Sequence, residues 1–406
     1  MLRFEWEWQS APEVRTPELR ATWSTLQIDV GDVTATLVED RDSRSGVRRR
    51  VNVPTYPLAE WLAMNWWRIT SPRAVRQDGF RLSVAGDGLP WPDLTFETGP
   101  GYVRALLHPT NRRHETVRFL STGDFLLEPT AMWREVRNFI EATLQQLDES
   151  GVSRTALHDE WAAIASADSD VAAFCRTAAA LGHDPYDLDE STEALILELG
   201  SHGFDSELLA DLAANSDLSE LSAVVPWLRE ALSAALSTEV PPLALDSQPL
   251  PYGISEPPWK LGYRRARQAR EALGLPPDQP LDVHALVAVA TVSALPPHRV
   301  VGFAQSHDQG TSVVLPNLTS TTTARFAAAR ALGRRTFDHT RHGTLLTHRD
   351  DYASRVERAF AAEFLAPAAG IETMADDEID SIAQTFGVAP QVIVHQLENQ
   401  LGRPQF

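Results

Sequence analysis

The sequence predicts an α+β protein in three successive parts: an N-terminal α/β part with a small sheet, an all-helical middle, and a second α+β part at the C-terminus. Three observations carry this prediction. The first third alternates β-forming residues, residues 150–236 repeat apolar residues at helical spacing, and residues 237–258 hold six prolines with no periodicity. At 406 residues, with 43% hydrophobic, 8% aromatic and 22% charged residues, the chain is long enough to bury more than one core.

Taken in order, FEWEW, STLQIDV, VTATLVED and RRRVNV read as strands, with a tight turn at Val30-Gly31-Asp32-Val33. After Pro54 and Pro57, LAEWLAMNWW places Trp61, Leu62, Asn65 and Trp66 near one helical face that should cover the sheet. RLSVAG, YVRALLH and TVRFLSTGDFLL add strand-like pieces, and MWREVRNFIEATLQQLDES closes a domain expected over residues 1–149. Eight of the eleven tryptophans fall in residues 1–133. Such density serves either a stacking platform for nucleotides or sugars or a packed core, and the surrounding alternation favours the core. His108 and His114, separated by Pro109 and Asn111, read as loop residues and not as a ligand pair.

Residues 150–236 read as one acidic domain of consecutive short helices, several marked by Ser/Asp caps or by glycine. Residues 237–258 read as a linker. LGYRRARQAREALGL then opens the last domain, residues 259–406, as a basic amphipathic helix lacking bulky aromatics for membrane insertion.

Charge excludes several functions. Residues 141–246 carry 21 Asp+Glu against 3 Arg, whereas residues 260–360 carry 14 Lys+Arg against 8 Asp+Glu, and the whole chain stands at -19. General nucleic-acid binding and adsorption to anionic membranes both need basic surface, so neither is expected. Arginine outnumbers lysine 35 to 1, a codon-level sign of a GC-rich, bacterial source. The single cysteine, Cys175, excludes a disulfide framework within the chain and reads as a buried thiol. No run of 18 to 20 uncharged apolar residues predicts a membrane span, and MLRFEWEWQ lacks a leader's apolar stretch, so a cytoplasmic location is expected.

The most specific signal begins at Gly302. Arg325, Phe326, Ala329, Leu332 and Gly333 are followed by Phe360, Ala361, Ala362, Glu363, Phe364, Leu365 and Pro367. With the basic helix at Leu261–Leu275 and a strand at Ser312–Asn317, residues 259–370 resemble the ImmA/IrrE-type metallopeptidases, whose active-site helix reads R-F-x-x-A-H-E-x-G-H and whose second helix reads F-A-A-x-L-L-x-P. The resemblance implies a zincin-like C-terminal domain ending in small helices, here IDSIAQTFGVAPQVIVHQLENQLG, in the style of a helix-turn-helix. Without basic contacts those helices are expected to pack and not to read DNA. Active members of the family cleave repressor-type transcription factors in stress, mobile-element or phage-linked responses.

The departures from that pattern define the expected chemistry. A zincin presents two imidazoles at i and i+4 with a glutamate beside the first. Here those positions are Arg330, Ala331 and Arg334. Guanidinium offers no lone pair and repels a dication, and alanine cannot act as a base. The family's third ligand, an acidic residue a turn or two before Phe360, finds Ser354 and Val356 near its place, with Asp351 and Glu357 offset. A pseudopeptidase without cofactor is therefore expected, acting as a regulatory or binding protein on a protein partner such as a repressor-type transcription factor. Arg330 and Arg334, with Arg335 adjacent, could hold a carboxylate or phosphate of a partner, or pair internally with Asp338, Asp351 or Glu357. The alternative is a divergent zinc endopeptidase in which His339, His342 and Asp351 hold the metal, with His348 and Asp350 nearby.

Overall fold

A computed structural model describes residues 1–40, 46–72, 79–86, 88–110, 117–243, 245–276, 278–337, 343–374 and 376–402. The chain divides into two compact units, Met1–Leu188 with Pro251–Ser255, and Asp189–Leu250 with Glu256–Phe406. Both mix helices with small sheets, as the α+β prediction requires.

In the first unit, the alternation Leu2, Phe4, Trp6 against Arg3, Glu5, Glu7 becomes strand β1 (Leu2–Trp8). After the short helix α1 (Pro17–Ala21), β2 (Trp23–Val30) pairs antiparallel with β1, turns at Gly31 into β3 (Val33–Thr34), and also pairs with β6 (Val51–Pro54). Strands β4 (Val38–Asp40) and β5 (Val47–Arg48) lie between them in sequence. The helical run after Pro54 breaks at Asn65 into α2 (Tyr56–Met64) and α3 (Trp66–Thr70). A second sheet follows from β7 (Phe80–Arg81), β8 (Asp93–Gly99) and β9 (Tyr102–His108), while β10 (Val117–Phe119) leaves it to pair with β4. Strand β11 (Gly123–Leu127) returns to β9, and β12 (Gly253–Ile254), from the proline-rich stretch, pairs along its outer edge. TVRFLSTGDFLL is thus two strands in two different sheets.

Helices α4 (Pro129–Glu149), α5 (Ala156–Ser166) and α6 (Ser169–Leu181) complete the first unit. Its core is aromatic: Phe4 stacks on Phe139 at 4.5 Å, Trp66 meets Trp161 edge-on at 5.3 Å, and Trp67 and Trp91 are buried with them. Arg137 lies over both Trp66 and Trp161, 5.6 and 5.4 Å from the ring centroids. The tryptophans therefore serve packing, as the alternation indicates. Cys175 is buried among them, and burial pushes its thiol up to about 11.

The second unit begins with α7 (Glu190–Ser201), α8 (Ser206–Ala214) and α9 (Leu218–Ser237), each opened by an aspartate cap at Asp189, Asp205 and Asp217. The acidic helices read as one domain are thus shared, α5 and α6 in the first unit and α7–α9 in the second. Next come α10 (Pro258–Ala272) and a four-stranded sheet of β13 (Ala288–Val292), β14 (Val300–Ser306), β15 (Thr311–Pro316) and β16 (Thr344–Thr347), ordered β13-β15-β14-β16. Between β15 and β16 runs α11 (Thr321–Arg335), and α12 (Tyr352–Leu365), α13 (Ala368–Thr373), α14 (Ile379–Phe386) and α15 (Pro390–Asn399) finish the unit.

Alternation along β15 sends Val314 to one face, against Leu212, Trp227 and Leu228, and Val313 and Leu315 to the other, against Ala328, Leu332 and Phe364. The sheet is covered on both sides. Close helix contact depends on two glycines: a Cβ at Gly262 would lie 2.5 Å from the Val356 carbonyl oxygen, and one at Gly333 would lie 2.9 Å from the Phe360 ring.

Arginines hold the irregular segments. Arg265 donates to the carbonyls of Gln248, Pro249 and Thr336, Arg270 to those of Phe364, Pro276 and Gln279, and Arg325 to those of Leu281 and Gly387. Burial pulls the Arg265 guanidinium down to about 10. The proline-rich stretch is consequently folded, with Leu243 and Leu250 buried, where composition suggests a free linker. Among the described residues no helix is long and apolar enough to cross a membrane.

Candidate functional site

Helix α11 starts at Ser320, whose hydroxyl accepts from the Thr323 amide, and runs through an alanine-rich face that lets α12 approach closely. Arg330, Ala331 and Arg334 all fall on its buried side, at 4%, 1% and 6% exposure. Facing them from α12 is Glu357, three residues before Phe360 and 1% exposed.

Glu357 bridges the two guanidinia. Arg330 Nη2 donates to its Oε2 at 3.1 Å and to the Thr347 carbonyl at 2.9 Å, while Arg334 Nη1 donates to Oε1 at 2.9 Å. Burial pulls the Arg330 guanidinium below its ordinary value, and the Glu357 charge pulls it back. Arg334 also lies 5.3 Å from the Phe337 ring centroid.

A second set of charges lies beside this bridge. Arg349 follows β16, with its Nε 3.5 Å from Asp351 Oδ2 and its Nη1 4.0 Å from Asp211 Oδ1 on α8. Asn215 donates to Asp211 at 3.2 Å. Burial pushes the Asp211 carboxyl up to about 6, against the pull of Arg349 and Arg334. Three guanidinia and three carboxylates thus balance within the fold.

Of the three arginines expected to act together, two converge. Arg335 points elsewhere and donates to the carbonyls of His307 and Gly310, both at 2.7 Å. Asp351 caps α12 by accepting from the Ser354 amide at 2.8 Å. His339, His342 and Asp338 lie outside the described residues, as does His114, while His348 and His108 are exposed at the ends of β16 and β9. Asp350 is engaged by Arg355 and Arg358.

Sequence reasoning placed Glu357 off the third-ligand position but named it, with Asp338 and Asp351, as an internal partner for Arg330 and Arg334, and the pairing with Glu357 is the one the structure shows. Residues 357, 360, 361 and 364 share one helical stripe, so its carboxylate belongs to the buried face. Glu363, part of the F-A-A-E-F-L signature, was given no role from sequence: buried, it accepts from Arg267 at 2.7 Å, from Gln396 at 2.8 Å and from Gln400 at 2.6 Å. It ties α15 to α12, and the C-terminal helices pack through Phe386, Ile393 and Leu397.

Asp217, Glu220 and His298 bring one ligand atom each within 4.8 Å of one another. The sequence alone discloses their purpose in part, because D-x-x-E opens α9 as a capping box. Glu220 accepts from the Asp217 amide at 3.0 Å, and its other oxygen lies 2.8 Å from His298 Nδ1. The trio is accounted for as a cap that also pins the loop before β14.

Chemically, the buried bridge does not fit zinc. Positions 330, 331 and 334 are two cations and an alanine, and the one carboxylate between the cations is already shared. No protein-family profile, no curated protein and no solved structure matches the chain.

Proposed function

We propose that the chain is a binding or regulatory protein whose C-terminal α+β unit is an ImmA/IrrE-like, zincin-type scaffold with the metal machinery replaced by a buried Arg–Glu–Arg bridge. The observation that carries this reading is Glu357 spanning Arg330 and Arg334, the two positions where the resemblance expects imidazoles. The element order supports it: a basic helix α10, a strand β15 ending near Asn317, then α11 and α12 packed together. On this reading the protein acts in the cytoplasm by holding a protein partner, with repressor-type transcription factors of a stress, mobile-element or phage-response circuit as the first class to try. Arg330 and Arg334 maintain the scaffold, and partner contacts lie on exposed surface.

The test is metal content by elemental analysis of the whole chain beside an Arg330→His, Ala331→Glu, Arg334→His variant. The natural chain should be metal-free and the variant should take up about one zinc per chain, with Glu357 released to complete a His2Glu set. Stoichiometric metal in the natural chain that His339→Ala or His342→Ala removes would overturn the reading in favour of the divergent peptidase. A folded variant that takes up no zinc would overturn the assignment of the scaffold.

A further inference from the structure

The first unit carries a cleft of about 350 Å3 between the α2–α3 corner and the loop after α6. That volume is at the small end of the range for small-molecule sites, about 300–1,000 Å3. The loop is built by helix termination. Gly182, at φ +92, ends α6, the His183 amide returns to the Ala178 carbonyl, and Asp184 Oδ1 accepts from the Tyr186 amide at 3.0 Å. This turn brings Tyr186 to α3, where Trp67 Nε1 donates to Tyr186 Oη at 3.0 Å.

The two sides of the cleft differ in charge. Behind the loop side, Glu160 has its Oε1 buried without a hydrogen-bond partner. Burial, and after it the charge of Asp184, holds the Glu160 carboxyl above its usual range. In the cleft itself, the Asp184 carboxylate beside the exposed Tyr186 ring makes a setting that suits a cation. On the helix side Arg68 is exposed, donates one bond to Asn65 Oδ1 at 3.2 Å, and has no ion pair among the described residues. Four of its five N–H donors are unspent, and a guanidinium in that state suits a carboxylate. Met64, Trp67 and Pro185 supply apolar lining.

We propose that this cleft binds a free amino acid with an apolar side chain, its carboxylate on Arg68, its ammonium between Asp184 and the Tyr186 ring, and its side chain against Met64 and Pro185. A small zwitterion matches both poles at once, whereas a simple anion or simple amine satisfies one and faces the other unpaired. The site lies wholly in the first unit and is independent of the reading of the second.

The experiment is calorimetric titration of the whole chain with L-leucine, L-methionine and L-phenylalanine, and with two half-molecules, 4-methylpentanoate and 3-methylbutylamine. At least one amino acid should bind saturably with a Kd on the order of 0.1–1 mM, and each half-molecule at least tenfold more weakly. Arg68→Ala should weaken the amino acid at least tenfold and leave the amine unchanged, and Asp184→Asn should weaken the amino acid and leave the carboxylate unchanged. Both residues are exposed, so circular dichroism should show the fold retained. Absence of saturable heat from all three amino acids up to about 10 mM would overturn the proposal. An amine that binds as tightly as its amino acid would overturn it as well, since the cleft would then be a cation site.

Discussion

The two units handle charge in opposite ways. In the first, the outward face of β1, with Arg50 just before β6, carries a ladder of solvated pairs, Arg3 with Glu5 and Arg50 with Glu5 and Glu7, and Arg3 also reaches the buried Asp29. Among the described residues this unit's buried polar groups are threonines and serines, with Asp29 the one buried charged residue. In the second, Arg265, Arg270, Arg330, Arg334, Glu357 and Glu363 are all buried, each with hydrogen-bond partners inside the fold. The lesson is that the same residue types cover one unit and organise the other. Surface pairs tolerate loss, whereas each buried charge depends on its partner.

The largest expected effect comes from breaking the central bridge. Glu357→Leu leaves two buried guanidinia without their carboxylate and should cost about 3–5 kcal/mol in urea unfolding of the whole chain. Adding Arg330→Met and Arg334→Leu should restore most of that loss, because an apolar replacement of the entire set removes the unpaired charge. A loss below about 1 kcal/mol for Glu357→Leu would erase the contrast between the units.

A smaller effect with a defined pH dependence is expected at Asp211. Its folded-state carboxyl titrates near 6, above the ordinary 3.8, so the folded chain holds that proton more tightly than the unfolded chain. This group's contribution is therefore most favourable at low pH and is lost as pH rises through about 6. Asp211→Asn, which imitates the protonated form, should stabilise by about 1–2 kcal/mol at pH 8 and by close to nothing at pH 4, read from unfolding midpoints at the two pH values. A gain that is the same at both would show that Asp211 does not titrate in this range.

The smallest effect belongs to the first unit's ladder. Arg50→Ala should shift stability by less than about 0.5 kcal/mol, and added salt should shrink even that. A shift above about 1 kcal/mol would mean that the sheet face behaves like the buried network.

The contrast also explains what could be read in advance. Strands β1, β2 and β9, the helices of residues 150–236, and α10 were legible because each writes its own periodicity into a contiguous stretch, whereas α11 and α12 were expected from the motif resemblance. The division of the acidic helices was not, since α6 and α7 look alike in composition and differ only in the partners their apolar faces find. The proline-rich stretch was misread for a related reason. Prolines remove periodicity, and the structure of residues 248 and 249 is held by Arg265, sixteen or more residues away. At the site, the sequence offered Asp338, Asp351 and Glu357 as internal partners for Arg330 and Arg334 and could not choose among them. That Glu357 is their shared partner needed the packing of α11 on α12.

The carbonyl contacts of Arg265 bear on how the chain can be cut into pieces. A boundary drawn at residue 258, where composition invites one, would remove the Gln248 and Pro249 acceptors and leave a buried guanidinium with idle donors. It would also strip Leu212, Trp227 and Leu228 from the sheet face formed by Val300, Phe303 and Val314. A fragment spanning residues 259–406 therefore starts life with an apolar sheet open to water, and recombinant pieces of this protein should begin at Asp189 if they are to stay in solution.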